Sequence, residues 1–300
     1  MHFPNRTSIA SNGPDSSMAS PLHIGILVEA RYRDQTQPAG LRAALQRRNH
    51  KVVMIDPEDL TDEISTIPSF HGLDLLVARG RSWHLLFLLA WAELKGLRTI
   101  NRRASIGAVH NKAEMAIALV TAGLPTPRTF VGTIGQFTGQ ISLSCYPLIL
   151  KPIFGDNCSG LSIVQTRAEL ERVRLESVVL AQQYLPSDGH DLKLYGIGEQ
   201  VWAVRKPAAF GRPPRYDDKI ELLPVTPDMQ ALGRRCAELF GLELYGADCI
   251  QTADGLVVIE VNDFPNYTGV PDADDRLANY ITSYKSINKH RKPGVDRKLK

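Results

Sequence analysis

The chain has 300 residues, 43% of them hydrophobic, enough for one large or two to three small domains with real cores. Its net charge of +3 is carried by the end of the chain: residues 285–300 hold seven basic residues against Asp296, a charge of +6, which leaves −3 over residues 1–284 and excludes a basic nucleic-acid platform. Four scattered cysteines (Cys145, Cys158, Cys236, Cys249) form no CxxC pair, arguing against a zinc site or a disulfide framework, and the longest apolar run, Leu85 to Ala92, is too short to span a bilayer.

Residues 1–20 are rich in Ser, Asn and Pro, lack a secretory apolar core and read as a disordered tail. Met18 stands just before the first strand and could itself be a start. Leu22 to Glu29 reads as a buried strand, Pro38 to Arg48 as a helix, Lys51 to Ile55 and Leu73 to Ala78 as strands, Trp83 to Lys95 as a helix and Arg98 to Asn101 as a short strand. This alternation predicts a parallel sheet with crossover helices over residues 21–103. A helix from Asn111 to Ala122 follows, with Gly123 as its C-cap and Pro125 and Pro127 barring continuation. Strands at Arg128 to Gly132, Pro147 to Lys151, Leu161 to Gln165 and Val178 to Tyr184, with a helix at Ala168 to Arg174, make residues 104–184 a small α+β unit. A hairpin of Asp191 to Gly196 and Gln200 to Arg205, a surface loop from Phe210 to Asp218, a helix from Pro227 to Phe240, a second hairpin and a helix from Asp272 to Tyr284 fill residues 185–284. Residues 285–300 read as a disordered basic tail, and a cytoplasmic setting fits the cysteine usage.

The second hairpin carries the strongest chemical signal. It holds Gly246-Ala-Asp248, the turn dipeptide Asp254-Gly255 and Glu260-Val-Asn262. A three-residue loop, Ala253 to Gly255, sets Asp248 directly opposite Glu260, with Asn262 on the same face and Val257, Ile259 and Val261 on the other. Two like charges forced together need a cation, and hard oxygen ligands suit Mg²⁺ shared with phosphate. A solvated polar sheet face is the alternative. Lys151 ends an apolar strand and leads into the small, glycine-bounded loop Gly155 to Gly160, whose backbone N–H groups could fold over phosphates; a plain hairpin loop competes. Lys112 opens a helix, where anions are favoured, although a surface lysine is the simpler reading. Gln182, Gln183, Tyr184 and Leu185 sit at a unit junction and could meet an adenine. Asp191 and Lys193 share one strand face, and Arg205 and Lys206 end the next strand; together they could set positive charge beside a reacting phosphoryl group, with a salt bridge from Asp191 to Lys193 or Arg205 as the competing role.

Taken in order, Asn111-Lys112, Leu124-Pro-Thr-Pro127, Lys151-Pro with the Gly155–Gly160 loop, Gln182 to Leu185, Asp191-Leu-Lys193, Gly246-Ala-Asp248 and Glu260-Val-Asn262 resemble the ATP-grasp superfamily, and most of all the RimK-type carboxylate–amine ligases. The end, Ile259 to Val270, is also similar to the ATP-grasp inositol-phosphate kinases. The resemblance implies an ATP-grasp fold, mixed α/β and α+β, behind an N-terminal parallel-sheet domain. It implies that Lys112 and Lys151 bind phosphates under a flap that includes Gly155, Ser159 and Gly160. Gln182, Gln183, Tyr184, Leu185 and Asp191 would hold the nucleotide, and Asp248, Glu260 and Asn262 would hold Mg²⁺ or Mn²⁺. Lys193 and either Arg205 or Lys206 would face the transferred phosphoryl group. The chain departs from the family at Asn111, where Asp is common, and at Pro265-Asn-Tyr-Thr-Gly269, where many members read Pro-Gly-x-Glu-Gly.

The implied activity is ATP-dependent ligation of a small-molecule or peptide carboxylate to an amine through an acyl phosphate, without nucleic acid or membrane, in an enzyme that could be oligomeric. A small-molecule kinase and a non-catalytic nucleotide-binding protein are the alternatives.

Overall fold

The computed structural model of the chain describes residues 20–61, 63–64, 70–155, 160–175, 177–208 and 219–288. Residues 1–19 and 289–300 of the expected tails, Cys158, Ser159 and the surface loop 209–218 therefore lie outside the described residues, while residues 285–288, read as tail, belong to the last helix.

Strands β1 (His23–Val28), β2 (Lys51–Ile55), β3 (Leu75–Arg79) and β4 (Arg98–Ile100) form a parallel sheet in the order β2-β1-β3-β4. Alternation along β1 sends Ile24, Ile26 and Val28 to one face and Leu27 to the other. The first set packs with Leu41 and Leu45 of α1 (Thr36–Arg47), the second with Leu85 and Leu88 of α2 (Trp83–Leu94). Both faces are covered, which is why β1 and β3 read as continuous apolar runs.

Helices α3 (Arg103–His110) and α4 (Lys112–Thr121) meet at Asn111, whose side chain caps α4 by accepting from the N–H of Ala113 at 3.0 Å and of Glu114 at 3.2 Å. Then β5 (Thr129–Gly132), α5 (Ile134–Gln140), β6 (Leu148–Pro152), β7 (Ser162–Val164), α6 (Arg167–Leu170) and β8 (Val179–Gln183) build an antiparallel sheet in the order β5-β8-β6-β7. Ile134, Phe137 and Leu170 of its helices bury Leu148, Leu150, Val179 and Ala181.

The last sheet, in the order β11-β10-β9-β12-β13, joins β9 (His190–Ile197), β10 (Gln200–Pro207), β11 (Glu221–Leu223), β12 (Leu244–Thr252) and β13 (Gly255–Asp263). Between β11 and β12 lies α7 (Pro227–Phe240), and α8 (Ala273–Asn288) closes the fold against α1. α7 has the boundaries its sequence predicts: Pro227 opens it, the Thr226 hydroxyl accepts from Met229 N–H, and Gly241 ends it in the left-handed region at φ 65°.

Two helices and one strand go beyond the sequence reading. α3 carries Gly107, and α5 carries Gly135 and Gly139, so their propensity is low, but a Thr133–Gln136 capping pair marks the start of α5. β11 is a three-residue edge strand with no pattern of its own. Packing also separates residues that the reading groups together. Val109, Met115, Leu119 and Leu124, from the stretch assigned to the small unit, are buried with Leu194, Cys236 and Val261 of the five-stranded sheet and α7. Cys145, Cys236 and Cys249 are buried free thiols, and burial pushes the Cys236 thiol up to about 12. No described helix is long and apolar enough to cross a membrane.

Candidate active site

The two antiparallel sheets each turn one face, and the first sheet its carboxyl end, toward a common cleft of about 390 Å³. Strand parity decides which side chains reach it. On β6, Leu148 and Leu150 go to the helix side, so Ile149 and Lys151 face the cleft; on β8, Val179 and Ala181 do the same for Gln182. Lys151 is buried and donates from Nζ to Gln182 Oε1 at 2.6 Å, and Gln182 Nε2 donates to Thr129 Oγ1 at 3.0 Å. The lysine is thus aimed from a fixed base. On β9, Leu192 and Leu194 enter the core beneath the sheet, and Asp191, Lys193 and Tyr195 line the cleft.

The β12–β13 hairpin reaches the expected pairing by another route. Its turn has two residues, Ala253 and Asp254, because Thr252 pairs with Gly255. The register runs Cys249 opposite Val258 and then Asp248 opposite Glu260, which makes Ile259 the extra residue of a β-bulge. The bulge restores the Asp248–Glu260 pair that the assumed three-residue loop gave. It also corrects the apolar face: Val258 and Val261 are buried in the core, whereas Ile259 lines the cleft beside Glu260 and Asn262.

The charge balance differs from the expectation too. Asp248 accepts from Lys193 Nζ at 2.6 Å, and Glu260 pairs with Lys112, which is buried rather than a surface lysine. Two ammonium groups supply the cation that the carboxylate pair needs. Lys193 thus meets Asp248 across β9 and β12, and the Asp191 charge also acts on it. Burial opposes the charge on Lys193, but the Asp248 carboxylate outweighs it and raises its pKa. Burial pushes the neighbouring Tyr195 hydroxyl up to about 12.

Strand parity separates Arg205 from Lys206. Lys206 stands opposite Asp191 and lines the cleft; Arg205 stands opposite Leu192, on the other face. Arg205 is held by Asp188 at 2.6 Å and His190 at 3.1 Å, with Glu221 at 3.8 Å. Arg205→Ala is expected to leave turnover unchanged and to cost less than about 1 kcal/mol in denaturant unfolding, the usual worth of an exposed ion pair.

Burial first, and then the nearby Lys193, lower the Lys206 pKa. The ammonium is charged below that value, so anion affinity is expected to fall as pH rises through it, earlier than for an ordinary lysine. Folding disfavours the charged form, so stability rises over the same window. Titrating nucleotide affinity against pH in wild type and Lys206→Met checks this; the variant should lose that step.

Of the sequence-predicted residues, Lys112, Lys151, Gly155, Gln182, Gln183, Tyr184, Leu185, Asp191, Lys193, Lys206, Asp248, Glu260 and Asn262 line the one cleft. Gly160, at φ 74°, turns the chain against Pro152 and is not in the lining; Ser159 lies outside the described residues. The reading missed Tyr32, Gln35, Arg79 and Arg81 and named Asn266 and Thr268 only as departures from the family; all six line the cleft. The available signal was position: Arg79 and Arg81 follow the apolar run 75–78 at its carboxyl end.

The RimK-like ATP-grasp domain family matches residues 110–281, more than half of the chain. The chain belongs to the RimK-like ATP-grasp family. A probable alpha-L-glutamate ligase of Alkalilimnicola ehrlichii is 24% identical over 298 residues, covering 91% of this chain and 98% of its own. In fold the chain is similar to a RimK domain ATP-grasp protein of Sphaerobacter thermophilus, with a TM-score of 0.69 at 23% identity over 86% of this chain and 98% of that one. It is likewise similar to the D-alanine–D-alanine ligase of Bacillus anthracis complexed with ATP, with a TM-score of 0.67 at 15% identity over 91% and 100%. The enzyme is an ATP-dependent carboxylate–amine ligase, and these ligase relatives set the kinase alternative behind it.

Proposed function

We propose that the enzyme joins an α-amino acid, L-glutamate first among them, through its amine to a carboxylate on a small molecule or peptide. The amino acid is suggested by the name of the alpha-L-glutamate ligase relative. The observation that carries the reading is the convergence in one cleft of Lys112, Lys151, Lys193 and Lys206 with Asp248, Glu260 and Asn262. A triphosphate needs such a set of cations, and a reaction without a covalent enzyme intermediate needs little else from side chains.

In this reading residues 21–103, 104–184 and 185–284 are the three units, with α3 and α4 riding on the sheet of the third. Gln182 to Leu185 and Asp191 take the nucleoside, while Lys112 and Lys151 take phosphates. Lys193 and Lys206 steady the γ-phosphoryl group as a carboxylate oxygen attacks its phosphorus and ADP departs. The amine then attacks the acyl carbon, phosphate leaves, and the amine nitrogen loses a proton to give the amide.

Asp248, Glu260 and the Asn262 amide form a hard oxygen set that fits Mg²⁺, and Mn²⁺ by the same donors. Two acids and one amide fall short of a three-acid cluster, none of which occurs among the described residues, so the set suits a metal shared with phosphate oxygens. Held by Asp248, Glu260 and Asn262, such a metal would neutralise phosphate charge. The acceptance of phosphate by Lys112 and Lys193 frees Glu260 and Asp248, their present partners, for this role. A cytoplasmic setting would supply both ATP and free amino acids.

The test is ADP and phosphate release with Mg-ATP across pools of carboxylates with and without L-glutamate. The reading expects phosphate release that needs both partners and a product carrying the amino acid. Phosphate retained on a polyol would contradict it.

A further inference from the structure

Lys151 is the lysine that the small sheet brings to the cleft, and its direction is set one strand away. β8 lies between β5 and β6, with Gln182 directly opposite Thr129 on one side and Ile149 on the other. Opposed residues share a face, so these three turn away from the helix side, where Phe130 packs with Leu150 and Ala181. Thr129 is half-buried and stands outside the cleft lining.

The geometry points to Thr129 as a positioning residue for the nucleotide phosphates: its hydroxyl sets the polarity of the Gln182 amide, and that amide holds Lys151. The assignment rests on the reading above only in that Lys151 takes a phosphate.

The donors and acceptors allow one arrangement. A threonine hydroxyl has a single proton, and Thr129 donates it to the Pro127 carbonyl at 2.9 Å. Toward Gln182 it can then only accept, and it takes an Nε2 amide hydrogen at 3.0 Å. That turns Oε1 to the other side. There the Lys151 ammonium, a group with donors only, finds it at 2.6 Å. A reversed amide would set its NH₂ against the ammonium, and its oxygen against a hydroxyl whose proton is already engaged. Lys151 and Gln182 are both buried, so leaving either bond unmade is costly.

The hydrogen-bond chain also starts from a fixed point. Pro125 and Pro127 each lock φ in the stretch 124–127. The Pro125 carbonyl accepts from the Val258 N–H at 2.8 Å, and Leu124 is buried with Val258 and Val261. This stretch is therefore seated on the five-stranded sheet that carries Asp248 and Glu260. Through Thr129 and Gln182 it places the lysine of one sheet relative to the carboxylates of the other.

The experiment titrates the whole enzyme with ATP and Mg²⁺ in a calorimeter, without acid or amine. Thr129→Val keeps the branched shape that a strand favours and removes only the hydroxyl. It is expected to weaken ATP binding about 5- to 10-fold, the scale of one neutral hydrogen bond, and Thr129→Ser to stay within about twofold of wild type. Gln182→Glu presents two equal oxygens and has no polarity to set. It should still bind ATP, and adding Thr129→Val to it should cost less than about twofold. A merely structural threonine would cost the same in both backgrounds. Thr129→Val that binds ATP as wild type does, Thr129→Ser that is as weak as Thr129→Val, or a Gln182→Glu enzyme that binds no ATP or suffers the full loss with Thr129→Val overturns the assignment. Wild type that binds ATP and turns over with no acid–amine pair overturns the ligase reading and leaves Thr129 in place.

Discussion

Asp248→Asn is expected to reduce ADP-forming turnover by about 10³-fold, the scale of removing one charge-stabilising group from an active site. The substitution keeps the volume of the side chain and removes only its charge. Asp248 stands opposite Glu260 and holds Lys193 at 2.6 Å, so it serves both the oxygen set and the lysine beside the reacting phosphoryl group. Without that carboxylate the pKa of Lys193 drops, since burial then acts on it with less opposition. Steady-state ADP release measures the loss. Retention of more than a tenth of the wild-type rate would remove Asp248 from the centre of the site.

Asn101→Ala is expected to destabilise the fold by about 3–5 kcal/mol, more than any substitution on the cleft surface. Asn101 is fully buried at the end of β4. Its Oδ1 accepts from the N–H groups of Glu243 at 2.8 Å and Leu244 at 3.0 Å, and its Nδ2 donates to the Leu244 carbonyl at 2.7 Å. One side chain therefore stitches the first sheet to the start of β12, the strand that carries Asp248. Removing it strands two buried N–H groups, each costing about 1–3 kcal/mol, and adds a cavity; the carbonyl keeps Phe264 N–H at 3.0 Å. Urea unfolding reads the loss directly. A change below about 1 kcal/mol would show that water or a local shift replaces the amide.

Local pattern made much of this fold legible. The apolar runs of β1 and β3, the alternation of Asp191-Leu-Lys193-Leu194, and the Pro227 and Gly241 brackets of α7 each follow from the side chains in their own segment. What sequence could not carry was phase. In the β12–β13 hairpin the assumed turn was one residue too long and the bulge was absent; the two errors cancelled at Asp248–Glu260 and did not cancel at Val258 and Ile259. One residue of phase also separated Lys206 from Arg205, and only the pairing of β10 with β9 chooses between them. The far wall of the cleft was hidden for another reason. Arg79 contacts Phe264 and Asn101 contacts Leu244 across more than a hundred residues of chain, and nothing local marks either partner. The lysine–carboxylate pairs that balance the site, Lys112 with Glu260 and Lys193 with Asp248, join separate elements in the same way.

The central claim is that ATP activates a carboxylate as an acyl phosphate before the amine attacks. The most direct test supplies the supporting acid with heavy oxygen in its carboxylate, alongside ATP and the amine, and reads the label in the released phosphate by mass spectrometry. One heavy oxygen is expected to pass from the acid into each phosphate formed, with ADP as the nucleotide product. Unlabelled phosphate, or label appearing in AMP, would contradict it.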